Sequence, residues 1–380
     1  MEIQLERSKL LQILDYCQNV SEKKSTMPIL SHALLIGEDN QLLVLVTDLE
    51  VRCQASISGF LKFEGRCCIP IRNLASIIRD LSGEEVLLKI NDSQLLEVSS
   101  DSAIFRLNTL PIGEFPTFDY KLSKKCANIP SGLFLQALKH TLFSISDDET
   151  QRVLNSVVLD LRHKGKNYVV STDRHRLSYF NLKKIDPTGC IFENMVGNSF
   201  IIPKKGAIEL KNLCELAGDD STIGVSISEN ILCFQFERIN LFTRLIHEEY
   251  PNYDYFFETE DGVGEIILNR GGLIGALKRM MLLSSEKLRS VQLNFTKEHI
   301  HMYSTSESLG DAREVVQIAA TKNINFNELE VVLNARYLIE PILELTCENV
   351  SFFIRDAESQ FVLSPTGEDY CKAIIMPLRM

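Results

Sequence analysis

The sequence predicts an α+β fold in which one unit, two helices packed on antiparallel sheet, occurs three times along 380 residues. Three observations carry this prediction. An amphipathic run with apolar residues at helical spacing opens each third of the chain. Alternating strand-like runs follow it in long meanders. The order of elements then repeats at a period of about 120–130 residues, far longer than solenoid repeats.

The opening helices are predicted over 6–20, 131–146 and 270–283. Their apolar stripes are Leu10, Leu14 and Cys17; Leu135, Leu138, Leu142 and Ile145; and Leu273, Leu277 and Met280, each spaced for one helix face. Strand pairs follow at 32–37 and 41–48, at 156–161 and 168–173, and at 291–295 and 299–305. Their ends align as Thr47-Asp48, Thr172-Asp173 and Thr305-Ser306. After a further strand, a second helix is predicted over 71–81, 204–218 and 334–346, entered each time from a short apolar strand. Pro341 falls inside the last of these, where it removes a helix hydrogen bond and predicts a kink or a short helix. Two or three strands close each unit. The polar, turn-rich stretches KLSKKCAN and ETEDGVGE separate the units, so the predicted domains are 1–124, 125–260 and 261–380.

Composition narrows the function classes. Hydrophobic residues make up 45% of the chain and charged residues 24%, enough apolar surface for a packed core. The net charge of −11 argues against a protein coated in basic residues for nucleic acid or anionic lipid. No apolar run reaches the length of a membrane span, and the first residues, with Glu2, Glu6 and Asp15, do not read as a signal peptide. The ten scattered cysteines include no CxxC pair and read as buried, reduced thiols of a cytoplasmic protein.

Charge is unevenly placed. The six predicted helices carry +5 between them against −11 for the chain, which leaves −16 elsewhere. Arg72 and Arg79 lie seven residues apart, as do Lys204 and Lys211, so each pair shares a helix face. Lys139 and His140 in the second unit correspond to Lys278 and Arg279 in the third. Solvated helix faces commonly carry such residues. Their recurrence in repeated units of an acidic chain favours a helix-lined basic surface that meets phosphates without reading bases.

Signatures of catalysis are absent from the sequence. There is no Walker-type phosphate loop, GxSxG elbow, HExxH or CxxC pair. His299 and His301 share a strand face but lack a third ligand nearby. Asp147-Asp148-Glu149 reads as an acidic surface loop rather than a Mg²⁺ site, and His175 near Asp173 reads as structural and binding rather than as acid–base chemistry. The expectation is no catalytic residue, cofactor or metal. A DNA-free interaction scaffold is the alternative class; it leaves the repeated basic pairs without a role.

The stretches TDLE (47–50), TLPIGEFP (109–116), LN (154–155), TDRHRL (172–177), IIPKKG (201–206), YPNY (250–253), SSEK (284–287) and MPLRM (376–380) occur in this order inside the threefold repeat. With them the chain resembles the bacterial DNA polymerase III beta subunit family, the sliding clamps, from end to end. The resemblance implies a head-to-tail homodimer closing a ring of six domains, with helices lining the hole and sheet outside. Such a ring encircles double-stranded DNA, slides without sequence specificity and tethers partners. The implied partners are the DNA polymerase III alpha subunit, the clamp loader, and other polymerases and repair proteins with clamp-binding motifs. No membrane is implied.

Two sites carry over by position. The first is a partner-peptide pocket of Leu154, Thr172, Arg174, His175, Arg176, Leu177, Pro251, Tyr255, Phe256, Ile374, Met376, Pro377, Leu378, Arg379 and Met380. The chain departs from the family at Arg174, often glycine, and at Tyr255 and Phe256, often basic or small apolar residues. These changes imply a bulkier, more aromatic wall. The second is a protomer interface in which Ile77, Phe105 and Leu107 meet Leu282 and Leu283 of the other chain. The DNA-facing candidates are Lys23 and Lys24 in a polar loop, Arg152 before the pocket, and Arg72, Arg79, Lys139, Lys204, Lys205, Lys211, Lys278 and Arg279 on the helices.

Overall fold

The computed structural model describes residues 1–22, 26–90, 95–116, 125–163, 166–182, 195, 197–257, 263–285, 289–324 and 326–378. The first repeat runs β1 (Glu2–Glu6), α1 (Arg7–Val20), β2 (His32–Glu38), β3 (Gln41–Thr47), β4 (Val51–Ser58), β5 (Phe60–Phe63), β6 (Gly65–Pro70), α2 (Ile71–Asp80), β7 (Glu85–Ile90), β8 (Leu95–Ser100) and β9 (Ala103–Asn108). The second runs β10 (Lys125–Pro130), α3 (Ser131–Leu142), β11 (Ser156–His163), β12 (Lys166–Thr172), β13 (Arg176–Asn181), β14 (Ser199–Pro203), α4 (Lys204–Ala217), β15 (Thr222–Ser228), β16 (Ile231–Phe236) and β17 (Ile239–Arg244). The third runs β18 (Gly264–Asn269), α5 (Arg270–Met281), β19 (Ser290–Phe295), β20 (His299–Ser306), β21 (Gly310–Lys322), β22 (Leu329–Asn334), α6 (Ala335–Glu344), β23 (Asn349–Ile354), β24 (Phe361–Pro365) and β25 (Cys371–Ile375).

Each helix follows directly on a strand, and local chemistry marks the turn from one to the other. The Asn269 side chain accepts from the Gly272 N–H at 2.9 Å to cap α5. The Asn334 side chain accepts from the N–H groups of Arg336 and Tyr337 to cap α6, satisfying donors that a helix start leaves open. Apolar stripes then face inward: Leu10, Leu14 and Cys17 on α1, and Leu273, Leu277 and Met280 on α5, are buried. Strands with one covered face alternate, as in β4 and β20.

Helix ends differ from expectation in three places, one of them α5, which ends at Met281 rather than 283. α3 stops at Leu142, not near 146. Beyond it Ser144 shares a 2.6 Å hydroxyl contact with Ser178, and the Ser146 N–H donates to the Leu154 carbonyl, so both serines leave the helical ladder. α6 closes at Glu344 with buried Pro341 inside it, two residues short of the predicted end.

The chain forms two compact units, Met1–Leu135 with Lys205–Ile246, and Gln136–Lys204 with His247–Met380. Unit one holds a five-stranded sheet, β5-β1-β7-β8-β9, and an eight-stranded sheet, β10-β15-β16-β17-β4-β3-β2-β6. Unit two holds a twelve-stranded sheet, β14-β11-β12-β13-β25-β24-β23-β18-β21-β20-β19-β22. The middle repeat is therefore divided. Its β17 pairs antiparallel with β4, placing Phe242 opposite Arg52. Its β13 pairs antiparallel with β25, placing Leu177 opposite Ile374. The repeated element order is local, whereas these ladders join residues more than 180 positions apart. Eight of the cysteines, Cys17, Cys53, Cys67, Cys68, Cys214, Cys233, Cys347 and Cys371, are free thiols, all buried except the half-buried Cys347.

Candidate functional site

The site in unit two begins with a five-residue turn. Thr172, at the end of β12, donates its hydroxyl to the Arg176 carbonyl at 2.6 Å and accepts from the Arg174 N–H at 3.1 Å. Asp173 Oδ1 accepts from the N–H groups of His175 and Arg176 at 2.9 and 3.0 Å. These bonds hold Arg174 at φ 75°, the left-handed region where a Cβ is costly. A glycine fits that conformation without strain.

The turn delivers Arg176 and Leu177 onto β13. Arg176 is 5% exposed. Its Nε donates to Asp173 Oδ2 at 2.9 Å, and its Nη1 donates to Glu340. Glu340 accepts in turn from Arg336 Nε at 2.6 Å. The guanidinium lies 4.2 Å from the Tyr337 ring centre, a cation–π contact within α6's reach. A buried charge needs such partners, and Arg176 has them on two sides.

Leu177 and its cross-strand partner Ile374 form the floor of a groove. They belong to a buried cluster with Val170, Tyr179 and Tyr253, flanked by Tyr168, Tyr250, Phe256 and Val362. The opposite wall is the segment Pro251–Phe256. Tyr253 pins it, its hydroxyl donating to Asp160, whose carboxylate also accepts from Arg162 at 2.7–3.0 Å. Burial alone would raise the Asp160 carboxyl; the hydrogen bonds from Arg162 and Tyr253 outweigh it and hold that carboxyl below the usual range. The Tyr255 and Phe256 rings pack against each other, tilted by 37° with centres 4.0 Å apart. Between floor and wall lies a cavity of about 200 Å³.

The cavity brings together Thr172, Arg174, Arg176, Leu177, Pro251, Tyr255, Phe256, Ile374 and Met376. Asn252 and Tyr253 also line it; the motif YPNY was the available signal for both. Leu154, His175, Pro377 and Leu378 are not among its lining residues. Leu154 is buried, and His175 is exposed on the turn. The carbonyl of His175 accepts from the Met376 N–H at 2.9 Å, and the Leu378 N–H donates to the Val332 carbonyl at 2.8 Å. The C-terminal segment is thus stitched at two points, with Met376 40% exposed at the groove mouth. Arg379 and Met380 lie outside the described residues.

The basic candidates divide into two sets. Arg72 Nη2 donates to the carbonyls of Gln18 and Ser21 at 2.7 and 3.0 Å, and Lys205 Nζ donates to that of Val20 at 2.8 Å. Both cations therefore close the C-terminal end of α1, where helix carbonyls lack partners. Lys205 also pairs with Asp48 at 2.5 Å. The other set lies toward solvent. Arg79 pairs with Asp15, Lys204 with Asp147, Lys211 with Glu215 and Arg279 with Glu314. Arg152 and Lys278 are exposed, and Lys139 is half-buried. Lys23 and Lys24 lie outside the described residues. His140 is no surface cation: it is buried, stacked 5.5 Å from Phe180, and desolvation lowers its pKa to about 4.

At the expected protomer interface, Phe105 is 40% exposed and Leu282 73% exposed; Ile77, Leu107 and Leu283 are half-buried. Phe105 and Leu107 stand on β9, an outer strand of the five-stranded sheet. β21 pairs with β20 over residues 310–317 and with β18 only over 318–322. Its first half therefore has one edge without a strand partner among the described residues, next to Val315 at 54% exposure.

Three family models match in order along the chain. The DNA polymerase III beta subunit N-terminal domain matches residues 1–119, the central domain 128–252 and the C-terminal domain 260–379. The chain is 28% identical over 388 residues to a beta sliding clamp of Caulobacter vibrioides and 25% identical over 386 residues to one of Escherichia coli, with 100% of each chain covered. The crystal structure of the DNA polymerase III subunit beta from Pseudomonas aeruginosa matches with a TM-score of 0.88 at 25% identity, covering 100% of both chains. The Caulobacter crescentus sliding clamp with polyethylene glycol at its tethering region matches with a TM-score of 0.87 at 27% identity, again covering 100% of both.

Proposed function

Because the chain belongs to the DNA polymerase III beta subunit family, the sliding clamps of replication, we propose the surfaces through which it does its work. The chain is a sliding clamp, a non-catalytic processivity factor of DNA polymerase III. The observation that carries this is the match of three domain models, in order, over nearly all of its length. No described helix is long and apolar enough to cross a membrane, and we infer that it works in the cytoplasm. We take its domains to be 1–124, 125–260 and 261–380.

The groove over Leu177 and Ile374 takes apolar side chains of short peptide segments from the polymerase alpha subunit, the clamp loader and repair proteins. An apolar floor of fixed shape, rimmed by a few polar groups, suits that task. Two copies join head to tail, the free edge of β9 in one pairing with the free edge of β21 in the other. Such pairing removes two exposed strand edges and covers Phe105 and Val315. Duplex DNA then passes through a closed ring. Arg79, Lys139, Arg152, Lys204, Lys211, Lys278 and Arg279 meet its phosphates by weak, exchangeable contacts, while the acidic remainder repels DNA from the outside.

The test is topological. The protein is loaded onto nicked circular DNA by the clamp loader with ATP, the complex is isolated, and the circle is then cut. Retention on circles and release from linear DNA is the expected result. Persistence on linear DNA, or no association with circles, would overturn the ring.

A further inference from the structure

A second cavity, of about 370 Å³, opens in unit two beside the groove. The two share Phe256 as a wall. They also share a sheet face. Ile374 in the groove lies opposite Val362 on β24, Val362 lies opposite Phe353 on β23, and Phe353 lies opposite Glu265 on β18. Directly opposed residues point to the same side of a sheet, so these four side chains form one track across the strands. Val362, Phe353 and Glu265 all line the second cavity. The track spans three strand spacings, roughly 14 Å, which about four extended residues cover.

The chemistry along the track is graded. Its near part is apolar, with Val362, Phe353 and Phe256. Its far end is polar but already satisfied: Glu265 accepts from Lys322 at 2.9 Å and from Ser351 at 2.7 Å. Arg355, Glu368, Asp369 and Lys372 also line the cavity, so its apolar seat of Val362, Phe353 and Phe256 lies within a rim that carries both charges.

We propose that the peptide segment docked in the groove continues across this track for about four further residues and seats an apolar or aromatic side chain between Phe256 and Phe353. The inference rests on the groove being the partner-docking site. The occupant is an extended continuation of the same segment, because Phe256 walls both cavities and the row of opposed residues leads from the floor of one to the floor of the other. Partners carrying the extra residue bind more tightly than partners with the core motif alone.

Three fluorescent peptides from the docking segment of the same cell's polymerase alpha subunit test this: the core, and the core with six native residues added at either end. Variants Gln360→Trp, which fills the cavity mouth, and Phe353→Ala, which removes its floor, lie outside the groove lining. Wild-type protein is expected to bind one extended peptide about fivefold or more tightly than the core. Both variants are expected to abolish that gain and leave core affinity unchanged. Equal affinity for all three peptides in wild type, or a gain that survives both variants, would overturn the extended track while the groove stands. Failure of every peptide to bind wild type overturns the groove and this inference with it.

Discussion

Two turns in this molecule share one hydrogen-bond circuit and differ in what they build. In unit one, Thr47 donates to the Val51 carbonyl at 2.9 Å, and Asp48 Oδ1 accepts from the N–H groups of Glu50 and Val51. Leu49 takes φ 82°. The Thr172–Arg176 turn of unit two repeats each bond, with Arg174 at φ 75°. Even the strand beyond is stitched alike: the Arg244 N–H donates to the Glu50 carbonyl at 3.0 Å, as Met376 does to His175 at 2.9 Å. The side chains diverge. Arg52 and Phe242 stand where unit two has Leu177 and Ile374, and the Arg52 guanidinium lies 5.9 Å from the Phe242 ring centre. One backbone frame thus supports an apolar floor in one place and a cation laid on an aromatic ring in the other. The difference lies in two side chains, and the turn itself is common scaffolding.

The largest expected effect follows from transplanting that difference. The double variant Leu177→Arg, Ile374→Phe gives unit two the floor of unit one. A docked apolar residue then meets a cation that must lose water, and affinity for the polymerase alpha subunit peptide should fall at least ~100-fold, about 2.8 kcal/mol. Fluorescence polarisation measures it, with retention on circular DNA as the control that the ring is intact. Unchanged peptide affinity would show that the floor does not set docking.

A second contrast concerns matching positions on the first helix of each repeat. Tyr16 on α1 is buried with its hydroxyl donating to the Glu209 carbonyl at 3.0 Å; His140 on α3 is buried against Phe180 and Tyr370. Desolvation lowers the His140 pKa to about 4, below its unfolded value. Between that value and the ordinary imidazole range the unfolded chain binds the extra proton, so stability rises with pH there and falls as the solution is acidified. At pH 5 the loss is about 2 kcal/mol relative to neutral pH. Denaturant titrations at pH 7 and pH 5 on wild type and His140→Tyr check it, the variant being expected to lose most of the pH dependence.

The same contrasts explain what was legible in the sequence. Helical spacing and the Thr-Asp endings are local signals, and they located six helices and the repeat. YPNY and TDRHRL are local too, and they led to the groove wall and floor. The division of the middle repeat between units was not legible, because β17–β4 and β13–β25 ladders depend on which distant strands find each other. Burial of His140 escaped for a related reason. Its neighbours Phe180 and Tyr370 arrive from β13 and the approach to β25, so a helix read alone shows only a polar residue beside Lys139. Arg72 and Lys205 looked like any basic surface pair until the carbonyls at the end of α1 stood in front of them.

A smaller effect separates the second carboxylate oxygens of the two turns. Asp173 Oδ2 holds the buried Arg176, whereas Asp48 Oδ2 holds Lys205, whose side chain is 33% exposed. Removing Asp173 leaves a buried guanidinium with one carboxylate fewer; removing Asp48 leaves an ammonium that water reaches. Asp173→Ala should cost about 2–3 kcal/mol and Asp48→Ala about half that. Chemical denaturation of the two variants side by side reads the difference, and equal losses would mean that the shared turn bonds, not the cation partners, dominate.

The smallest effect tests the turn itself. Leu49 and Arg174 both hold a Cβ in the left-handed region, where only glycine is free of steric cost. Arg174 is exposed and Leu49 is 40% exposed, so little packing is lost when either is shortened. Replacement by glycine relieves the strain but enlarges the unfolded ensemble, and the two nearly offset. Arg174→Gly and Leu49→Gly should therefore each stabilise by no more than about 1 kcal/mol. Arg174 differs in one respect, since its side chain lines the groove. Arg174→Gly should also change peptide affinity by a few-fold, whereas Leu49→Gly should leave it untouched. Peptide binding and thermal unfolding on both variants separate the frame from the site: equal stability gains with unequal binding would mean that the backbone circuit is common to the repeats and that recognition belongs to unit two alone.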